Sequence, residues 1–433
     1  MSPTTIGLIG LLVMVALFFT RLPVAYCMVM VGYVGFSIVV SPEAGLGLLA
    51  RDMYDVFSSY GLTVIPLFIL MGQFAFNAGI SRNLYDTAYK FIGHRTGGLA
   101  MATICACTAF GAVCGSSPAT AATMATVGLP EMKRYGYGDA LASGSVASGG
   151  SLGMLMPPSV VLIVYGILTE QSIGELFIAG IFPAILITLL FIAAIWLTVF
   201  RYPNQGPPGE VFTWHDRLVS LKDMGEPLAV FLLVMGGLFL GWFTPNEAGG
   251  VGAFGVLAVA MLRGRMTRYG FVKSLYETLR TACMVMLLVA GAIIFGHFLA
   301  VTRIPFMVAE WVAQTNLPGF LIVSLIVLIY LIGGCFIDAL ALIMLTIPIF
   351  YPIILNLGYD PIWFGVIIVL VTQMGVITPP VGINVYVVQG VAKDIKLETI
   401  FLGSLPFLAA LIFGTGMMIA WPQLILWLPK LMY

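Results

Sequence analysis

The sequence predicts an all-α polytopic membrane protein made of two related halves. Only 9% of the 433 residues are Asp, Glu, Lys or Arg, whereas about 25% of the residues in a soluble domain are charged. Uncharged runs long enough to cross a bilayer, which takes roughly 20 residues in a helix, follow one another along the chain. A Pro-Pro pair also occurs once in each half, in similar surroundings.

Membrane-spanning helices account for the uncharged runs, because in lipid each segment must satisfy its own backbone hydrogen bonds. The runs 96–130 and 361–392 are too long for one helix and rich in Gly and Pro, so we expect two helical pieces with a break in each. We predict about eleven spans. The first run follows no basic segment, which favours a retained helix over a cleaved signal peptide. The runs are 1–20, 22–42, 56–81, 96–130, 140–169, 176–200, 227–246, 281–302, 311–337, 339–359, 361–392 and 399–429.

The most polar segment, 201–225, connects the two apolar halves. It is expected to carry a short surface helix at 213–223. The predicted organisation is therefore N-terminal helices in 1–58, a first repeat in 59–200, the polar connection, and a second repeat in 226–433. The formal net charge is zero, so no nucleic-acid partner is indicated. The basic cluster from Arg263 to Lys273 is the best candidate for a cytoplasmic loop.

An internal repeat relates the two halves. Pro157-Pro158 and Pro379-Pro380 lie 222 positions apart. Identities of uncommon residue types at one constant offset are unexpected by chance in an apolar chain. The further identities at this offset are Pro130 with Pro352, Gly136-Tyr137 with Gly358-Tyr359, and Gly153 with Gly375.

Each Pro-Pro pair predicts a broken helix. Proline lacks the backbone N–H and clashes with the carbonyl four residues earlier, and it drives the preceding residue out of the α region. Carbonyls freed in mid-membrane are tolerated only in a protein-lined or wet cavity, where a cation is a natural partner. Paired broken helices in two repeats are typical of secondary transporters.

Two segments carry a family resemblance. The combination of GSSPATAATMATVGLPEMKRYGY, beginning at Gly115, with ITPPVGINVYVVQGVA, beginning at Ile377, closely resembles the large membrane subunit of TRAP (tripartite ATP-independent periplasmic) transporters. The resemblance covers essentially the whole chain. It implies an elevator-type fold of the ion transporter superfamily, with a scaffold domain that includes 1–58 and a transport domain with two re-entrant hairpins and two broken helices in inverted repeats.

The resemblance also implies a function and partners. The chain would import an organic anion, such as a C4-dicarboxylate or a sugar acid, across the bacterial inner membrane by Na⁺ symport. A periplasmic substrate-binding protein would deliver the anion, and a small four-helix membrane subunit would complete the scaffold. The chain would not be an enzyme, and Na⁺ would be a coupling ion. Consistently, the sequence has no GxxxxGK[ST] phosphate loop.

Two Na⁺ sites follow from the resemblance, position by position. Backbone carbonyls would supply most ligands, because hard cations prefer oxygen, and the Thr378 hydroxyl could add one. Many family members have Ser where this chain has Cys114, which a carbonyl role tolerates and a hydroxyl role does not. The first site would use Gly111, Cys114, Gly115, Ser116, Gly153, Met156 and Pro157, and the second Gly334, Cys335, Gly375, Thr378 and Val381.

The substrate set is predicted at the same hairpins and breaks. Asp338 is its acidic member, and an ionisable residue between uncharged runs indicates a functional position by default. Its counterpart 222 positions earlier is Ser116, so the repeats differ here. The alternative is that Asp338 marks a hairpin tip at an aqueous edge. The predicted substrate-binding residues are Ser116, Ser117, Asp338, Pro158, Pro380 and Asn384.

Other interpretations of these motifs remain open from the residues alone. The Pro-Pro pairs could be simple kinks, and the small polar residues of 116–123 could serve helix packing. Gly149-Gly150-Ser151-Leu152-Gly153 matches G-x-S-x-G, so an intramembrane serine protease is the rival enzyme, although that motif needs a strand–turn–helix context. A channel is a second rival, but paired broken helices suit a gated, occluding site better than a continuous pore.

Five charged or titratable positions are expected to be structural. Arg51-Asp52 and Asp55 indicate a solvated or interfacial face. Glu247 is expected at a helix N-terminus, where its charge suits the dipole. His297, inside an apolar run, is predicted to pack or to line a cavity. The six cysteines show no usual zinc spacing and are expected to pack.

Overall fold

The computed structural model describes residues 2–18, 20, 22–314 and 317–432, and all regular structure in them is helical. The helices are α1 (Pro3–Phe18), α2 (Val24–Val39), α3 (Pro42–Ser58), α4 (Val64–Asn77), α5 (Ile80–Ile92), α6 (Gly98–Cys114), α7 (Ser117–Arg134), α8 (Asp139–Ser151), α9 (Val160–Thr169), α10 (Ile173–Arg201), α11 (Trp214–Phe239), α12 (Pro245–Leu262), α13 (Arg268–Thr302), α14 (Ile304–Gln314), α15 (Gly319–Gly334), α16 (Ala339–Asn356), α17 (Pro361–Gly375), α18 (Ile383–Val391), α19 (Leu397–Ala420) and α20 (Gln423–Met432).

Several helices are long and apolar enough to cross a membrane. Among the described residues, α10, α12, α13, α16 and α19 meet both requirements by themselves. A sixth candidate is the segment formed by α3 and Gly61–Asn77, which bends by 58° at a short break. Shorter apolar helices, among them α1, α2, α6 and α9, accompany them. The chain is therefore a multi-pass, all-helical membrane protein, and the count of about eleven spans stays a prediction.

The first hairpin consists of α6 and α7. Gly115 ends α6 in the left-handed region, with φ +62°, which costs glycine no steric clash. Ser116 is extended and precedes α7, and Pro118 occupies the first turn, where a missing N–H is harmless. Two residues therefore reverse the chain.

The second hairpin consists of α15 and α16, joined through Cys335–Asp338. The Asp338 carboxylate accepts a hydrogen bond of 3.1 Å from the Leu340 N–H and caps α16. The tip is thus held by a side chain, whereas the first tip depends on a glycine.

Both predicted breaks are present. The first broken helix (α8 and α9) passes through a 3-10 turn at Leu152–Met154 and a cis Pro157–Pro158 bond. The second broken helix (α17 and α18) ends its first half at Gly375 and resumes after a cis Pro379–Pro380 bond. The shorter half of each broken helix begins after an N-cap residue. Before α9 the Ser159 hydroxyl accepts a hydrogen bond from the Leu162 N–H, and before α18 Gly382 adopts φ +56°.

The polar connection is attached to the base of the first hairpin. Backbone N–H groups of Gly97 and Gly138 donate to the Gly206 and Gln205 carbonyls, at 2.8 and 3.0 Å. The helix after the connection begins at Trp214 and continues to Phe239. The helix expected at 213–223 is thus the first part of α11, and the boundary drawn at 225 lies inside that helix.

The two hairpins open toward opposite ends of the molecule. At the base of the first hairpin, Lys133 pairs with Asp394, just beyond the end of α18. At the base of the second, the Tyr351 hydroxyl donates 3.2 Å to the carbonyl of Thr169, the last residue of α9. Each broken helix therefore finishes where the other half's hairpin opens.

Candidate functional site

The first hairpin tip lies directly against the first break, and we call this contact the first junction. A Cβ added to Gly111 would stand 2.8 Å from the Gly153 Cα. A Cβ on Gly153 would stand 2.6 Å from the Thr120 hydroxyl and 2.8 Å from the Ser116 carbonyl oxygen. Glycine at both positions lets the backbones touch, so the oxygens of Ser116 and Thr120 border the break.

A carbonyl from the break points at the hairpin tip. The Pro158 oxygen lies 2.3 Å from where a Cβ on Gly115 would be. Within the described residues this carbonyl accepts no hydrogen bond. It is the kind of freed carbonyl that the Pro-Pro pair predicts. The Met154 carbonyl, by contrast, accepts a bond from the Ser159 hydroxyl.

The second junction repeats this arrangement. A Cβ on Gly375 would lie 2.4 Å from the Gly334 carbonyl carbon and 2.6 Å from its oxygen. In the part of the chain that the structure covers, the Gly334 carbonyl also accepts no hydrogen bond. The Val381 N–H donates to the Cys335 carbonyl at 3.2 Å and ties the break to the tip. Each junction therefore holds a glycine–glycine contact and an unpaired carbonyl.

Thr378 lies in the second break with its hydroxyl donating 2.6 Å to the Met374 carbonyl. Donation leaves the oxygen lone pairs free to accept a cation or a hydrogen bond. The Cys335 thiol donates to the Leu331 carbonyl at 3.1 Å, within α15. Of these two side chains, only Thr378 presents an oxygen at the junction.

A buried hydrogen bond joins the two halves. The Ser117 hydroxyl, at the start of α7, donates 2.9 Å to the Asn384 side-chain oxygen in α18. The Asn384 amide nitrogen donates 2.9 Å to the Ala147 carbonyl in α8. Asn384 is fully buried. It thus links the first hairpin tip and both broken helices.

The predicted site residues separate into two groups. Ser116, Ser117, Pro158 and Asn384 meet around the first hairpin tip, together with the first set of ion-site positions. Pro380 and Asp338 flank the second junction, and no hydrogen bond or ion pair between described residues joins them to the first group. Asp338 is exposed on the surface of the chain, whereas Ser117 at the first tip is buried.

Thr120 was missed as a site residue by the sequence reasoning. Its hydroxyl donates 2.8 Å to the Ser116 carbonyl and faces Gly153. The available signal was its position four residues after Ser116, which puts Thr120 one helical turn into α7 and above that cap residue. A pattern of small polar residues did not separate Thr120 from its neighbours.

The position of Asp52 corrects an expectation. It is not on a solvated face but is 5% exposed, and its carboxylate contacts His297 Nδ1 at 2.9 Å. Arg51 and Asp55 form an exposed pair at 3.5 Å, as expected. His297 lines a cavity of about 560 Å³ between α13 and α16. Glu247 completes a capping box with Thr244 at the start of α12, as its helix N-terminal role predicts.

No side-chain metal centre is available in the described residues, since no group of three His, Cys, Asp or Glu side chains could hold an ion. A cation at either junction would therefore be held by carbonyl and hydroxyl oxygens.

Ser151, the serine of G-x-S-x-G, is fully buried in α8 and donates 2.7 Å to the Ser148 carbonyl. This helical setting does not fit a hydrolase nucleophile.

Solved structures resemble the fold. A transporter from Alcanivorax borkumensis, YdaH, described as having an unusual topology, superimposes with a TM-score of 0.62 over 89% of this chain and 90% of its own, at 14% identity. MtrF of Neisseria gonorrhoeae, described with a class of antimetabolite efflux pumps, gives 0.53 over 88% and 83%, at 15% identity. At these identities the likeness concerns the fold.

Sequence relatives are much closer. The C4-dicarboxylate TRAP transporter large permease DctM of Pseudomonas aeruginosa is 36% identical over 378 residues, 87% of each chain. The sialic acid large permease SiaM of Vibrio cholerae is 31% identical over 416 residues, 96% of each chain. The isethionate permease DctMQ of Oleidesulfovibrio alaskensis is 32% identical over 95% of this chain and 67% of its own.

The family profile described as "Tripartite ATP-independent periplasmic transporter, DctM component" matches residues 11–424. This range holds both hairpins, both broken helices and both junctions. The protein therefore belongs to the DctM family of TRAP transporter large permeases, and it is a transporter component from a family of permeases.

Proposed function

We propose that this permease imports an organic anion by Na⁺ symport, with an elevator movement of its transport domain. The observation that carries the proposal is the duplicated junction. At each hairpin tip a glycine contacts a glycine of a broken helix, and one carbonyl oxygen accepts no hydrogen bond from the residues that the structure describes. Such oxygens in a membrane need a partner, and a cation supplies one.

The first Na⁺ would bind at the first junction and the second at the other. The unpaired Pro158 carbonyl is the main candidate at the first, beside the Thr120 hydroxyl and the Ser116 carbonyl, which already accepts bonds from the Thr120 N–H and hydroxyl. The Gly334 carbonyl and the Thr378 hydroxyl are the candidates at the second. The remaining predicted positions shape each junction, through backbone contact rather than side-chain charge.

The anion would bind between the tips and the shorter helix halves. The helices α7, α9, α16 and α18 all begin at the tips or breaks, and helix N-termini favour negative charge. The relatives are named for C4-dicarboxylate, sialic acid and isethionate, which share an anionic group. Ser116, Ser117 and Asp338 are the proposed polar contacts, while Asn384 has its amide engaged in linking the two halves.

The transport domain would comprise α6–α10 and α15–α19, with α1–α5 and α11–α14 as the scaffold. The opposite opening of the two hairpins supports inverted repeats.

The distribution of basic residues supports an orientation in the membrane. Basic residues collect at the end of the molecule where the first hairpin opens: Lys133, Arg134, Lys393 and Lys396. The Arg263–Lys273 cluster is at the same end, because α12 packs antiparallel to α11, with Gly252 against Val234 and Gly255 against Val230, and α11 begins near the base of the first hairpin, where Arg217 contacts His94. Basic loops favour the cytoplasm, so the second hairpin would open to the periplasm of a bacterial inner membrane.

Two partner proteins complete the proposal. A small four-helix membrane subunit would extend the scaffold, and a periplasmic binding protein would deliver the substrate at the second hairpin. The DctMQ relative supports the first, because this chain covers only 67% of it and its remainder has room for such a subunit.

Reconstitution in liposomes tests the function. The chain, its small subunit and its binding protein are tested against a panel of radiolabelled carboxylates and sulfonates with an imposed Na⁺ gradient. We expect uptake only with the inward Na⁺ gradient and the binding protein. Equal uptake with K⁺ replacing Na⁺ would refute Na⁺ coupling, and equal uptake without the binding protein would refute the delivery step.

A further inference from the structure

A groove opens on the outer surface of the molecule between the start of α6 and the middle of α10. Its volume is about 520 Å³. Met101, Leu189 and Ile192 form an apolar floor, while Arg95, Thr96 and Trp196 are its polar or amphipathic members. The groove is separate from both junctions and from the cavity beside His297.

Among the described residues, the charged member of this groove has no partner. Arg95 is exposed, and its guanidinium makes no ion pair or hydrogen bond with any described residue. Thr96, also exposed, likewise makes no side-chain hydrogen bond within the described ranges. Donors are thus concentrated at one end of an apolar groove, and a ligand that satisfies them must carry acceptor oxygens.

The aromatic member places the groove in the membrane interface. Trp196 is 56% exposed and stacks on Phe200, which is 76% exposed, with ring centroids 5.8 Å apart. Tryptophans collect at the headgroup level of bilayers. Gly97, two residues after Arg95, donates to Gly206 in the polar connection, so this end of the groove is also the basic end of the molecule.

The rest of the groove borders an apolar face of α10. Leu189 is 57% exposed, and it lies two helical turns from Trp196 on the same face of α10. The exposed side chains of this face are apolar, including Ile185 at the far side of Leu189. An occupant must therefore be charged at one end and apolar over the length of about two helical turns, some 10 Å.

We propose that this groove binds an anionic phospholipid of the leaflet at the basic end of the molecule. The Arg95 guanidinium holds the phosphate by charge-assisted hydrogen bonds, Thr96 adds a hydroxyl donor, and an acyl chain lies along Met101, Leu189 and Ile192. Basic pockets between membrane helices on the cytoplasmic side suit such headgroups. A free phosphate ion would use Arg95 but would leave the apolar floor without a partner.

The location gives the bound lipid a role. Because α6 is the first arm of the first hairpin and α10 follows the first broken helix, the lipid bridges two elements that frame the first junction. It also lies beside the Gly97–Gly206 contact, where the polar connection meets the hairpin. Anionic lipid is thus expected to stabilise this part of the protein more than zwitterionic lipid does.

Native mass spectrometry of the purified complex with its small subunit tests the proposal. Delipidated protein is titrated with phosphatidylglycerol and, separately, with phosphatidylcholine. We expect Arg95→Gln to weaken phosphatidylglycerol binding about fivefold, the effect of one interfacial basic residue, and to leave phosphatidylcholine binding unchanged. Arg268→Gln is the matched control, since it removes an exposed arginine at the same end without entering the groove.

Two further arms complete the test. Ala193→Trp, which fills the floor and keeps Arg95, is expected to weaken binding of long-chain phosphatidylglycerol, and millimolar inorganic phosphate is expected not to displace it. Arg95→Lys keeps a charge and should retain most of the binding. The proposal is overturned if Arg95→Gln and Arg268→Gln lose the same amount, or if phosphate displaces the lipid while Ala193→Trp has no effect. Melting temperatures of all variants identify any that misfold. If Arg95→Gln misfolds, phosphatidylglycerol binding by Arg95→Lys is the deciding measurement.

Discussion

A graded series of glycine substitutions tests the second junction. In Gly375→Ala the new methyl group would stand 2.4 Å from the Gly334 carbonyl carbon, whereas ordinary contacts begin near 3.4 Å. The tip and the break must therefore separate by about 1 Å, at an overpacking cost of about 1–3 kcal/mol. In Gly334→Ala the nearest atom is 3.3 Å away, at the Gly375 Cα, so the required shift is far smaller.

The overpacking is expected to weaken Na⁺ binding, because the Gly334 carbonyl that must move is the proposed ligand. A displacement of about 1 Å is well beyond the roughly 0.2 Å within which metal–ligand distances are held. If the strain is released whenever Na⁺ leaves, 1–3 kcal/mol corresponds to a loss of Na⁺ affinity of about 5- to 150-fold. Gly334→Ala should lose clearly less than Gly375→Ala.

The assay is the Na⁺ dependence of substrate uptake in proteoliposomes, with melting temperatures in detergent measured in parallel. Gly390→Ala is the matched control, because it lies in the second half of the same broken helix and has no atom within 4 Å of the added methyl group. It should leave the Na⁺ dependence unchanged. An unchanged Na⁺ requirement in Gly375→Ala, or the same loss in all three variants, would refute the reasoning.

Three further predictions concern other residues. Asp338→Asn keeps an acceptor that caps α16, so we expect normal folding. Na⁺-driven uptake should fall at least about tenfold, the effect of roughly 1.4 kcal/mol. Intact uptake with intact Na⁺ dependence would exclude a role for the Asp338 charge. Asn384→Leu removes the acceptor of the buried Ser117 hydroxyl and the side-chain bond to the Ala147 carbonyl, and should lower stability by about 1–3 kcal/mol, measured by thermal unfolding against Gln389→Leu on the same helix. A hydrogen bond from Lys133 holds the pKa of Asp394 below its usual range, so this pair should stabilise the fold above the ordinary pKa of an aspartate and lose that effect as the pH falls through the lowered value. Melting temperatures across acidic pH should show this loss and should be flatter in Asp394→Asn; identical profiles would show that the pair does not contribute.

Local chemistry made the breaks predictable. Pro157-Pro158 and Pro379-Pro380 cannot continue a helix wherever they occur, and their constant offset marks them as equivalent. The hairpin tips were expected from the family resemblance, and Gly115 could be recognised as a turn position because its left-handed conformation suits glycine. Such features depend on one or a few neighbouring residues.

Other features depended on distant partners. Asp52 was expected on a solvated face because its neighbours are charged, yet it is buried against His297, which lies 245 positions later. Thr120 gained its position from Gly153, and the Asn384 amide is engaged by Ser117 and Ala147. Hydrophobic pattern does not encode these pairings, since each requires two helices to approach at a particular rotation.

The sequence by itself determined the membrane setting, the two halves and the two helix breaks, because charge content, proline geometry and a constant offset act without knowledge of the fold. The tertiary structure decided which oxygens face each break, that Asn384 joins the halves, and that Arg95 borders an apolar groove. The physical reason is that these properties come from close approach between helices. A glycine permits contact wherever it stands, but only the packed arrangement brings Gly375 to Gly334 and leaves the Gly334 carbonyl without a hydrogen bond from any described residue.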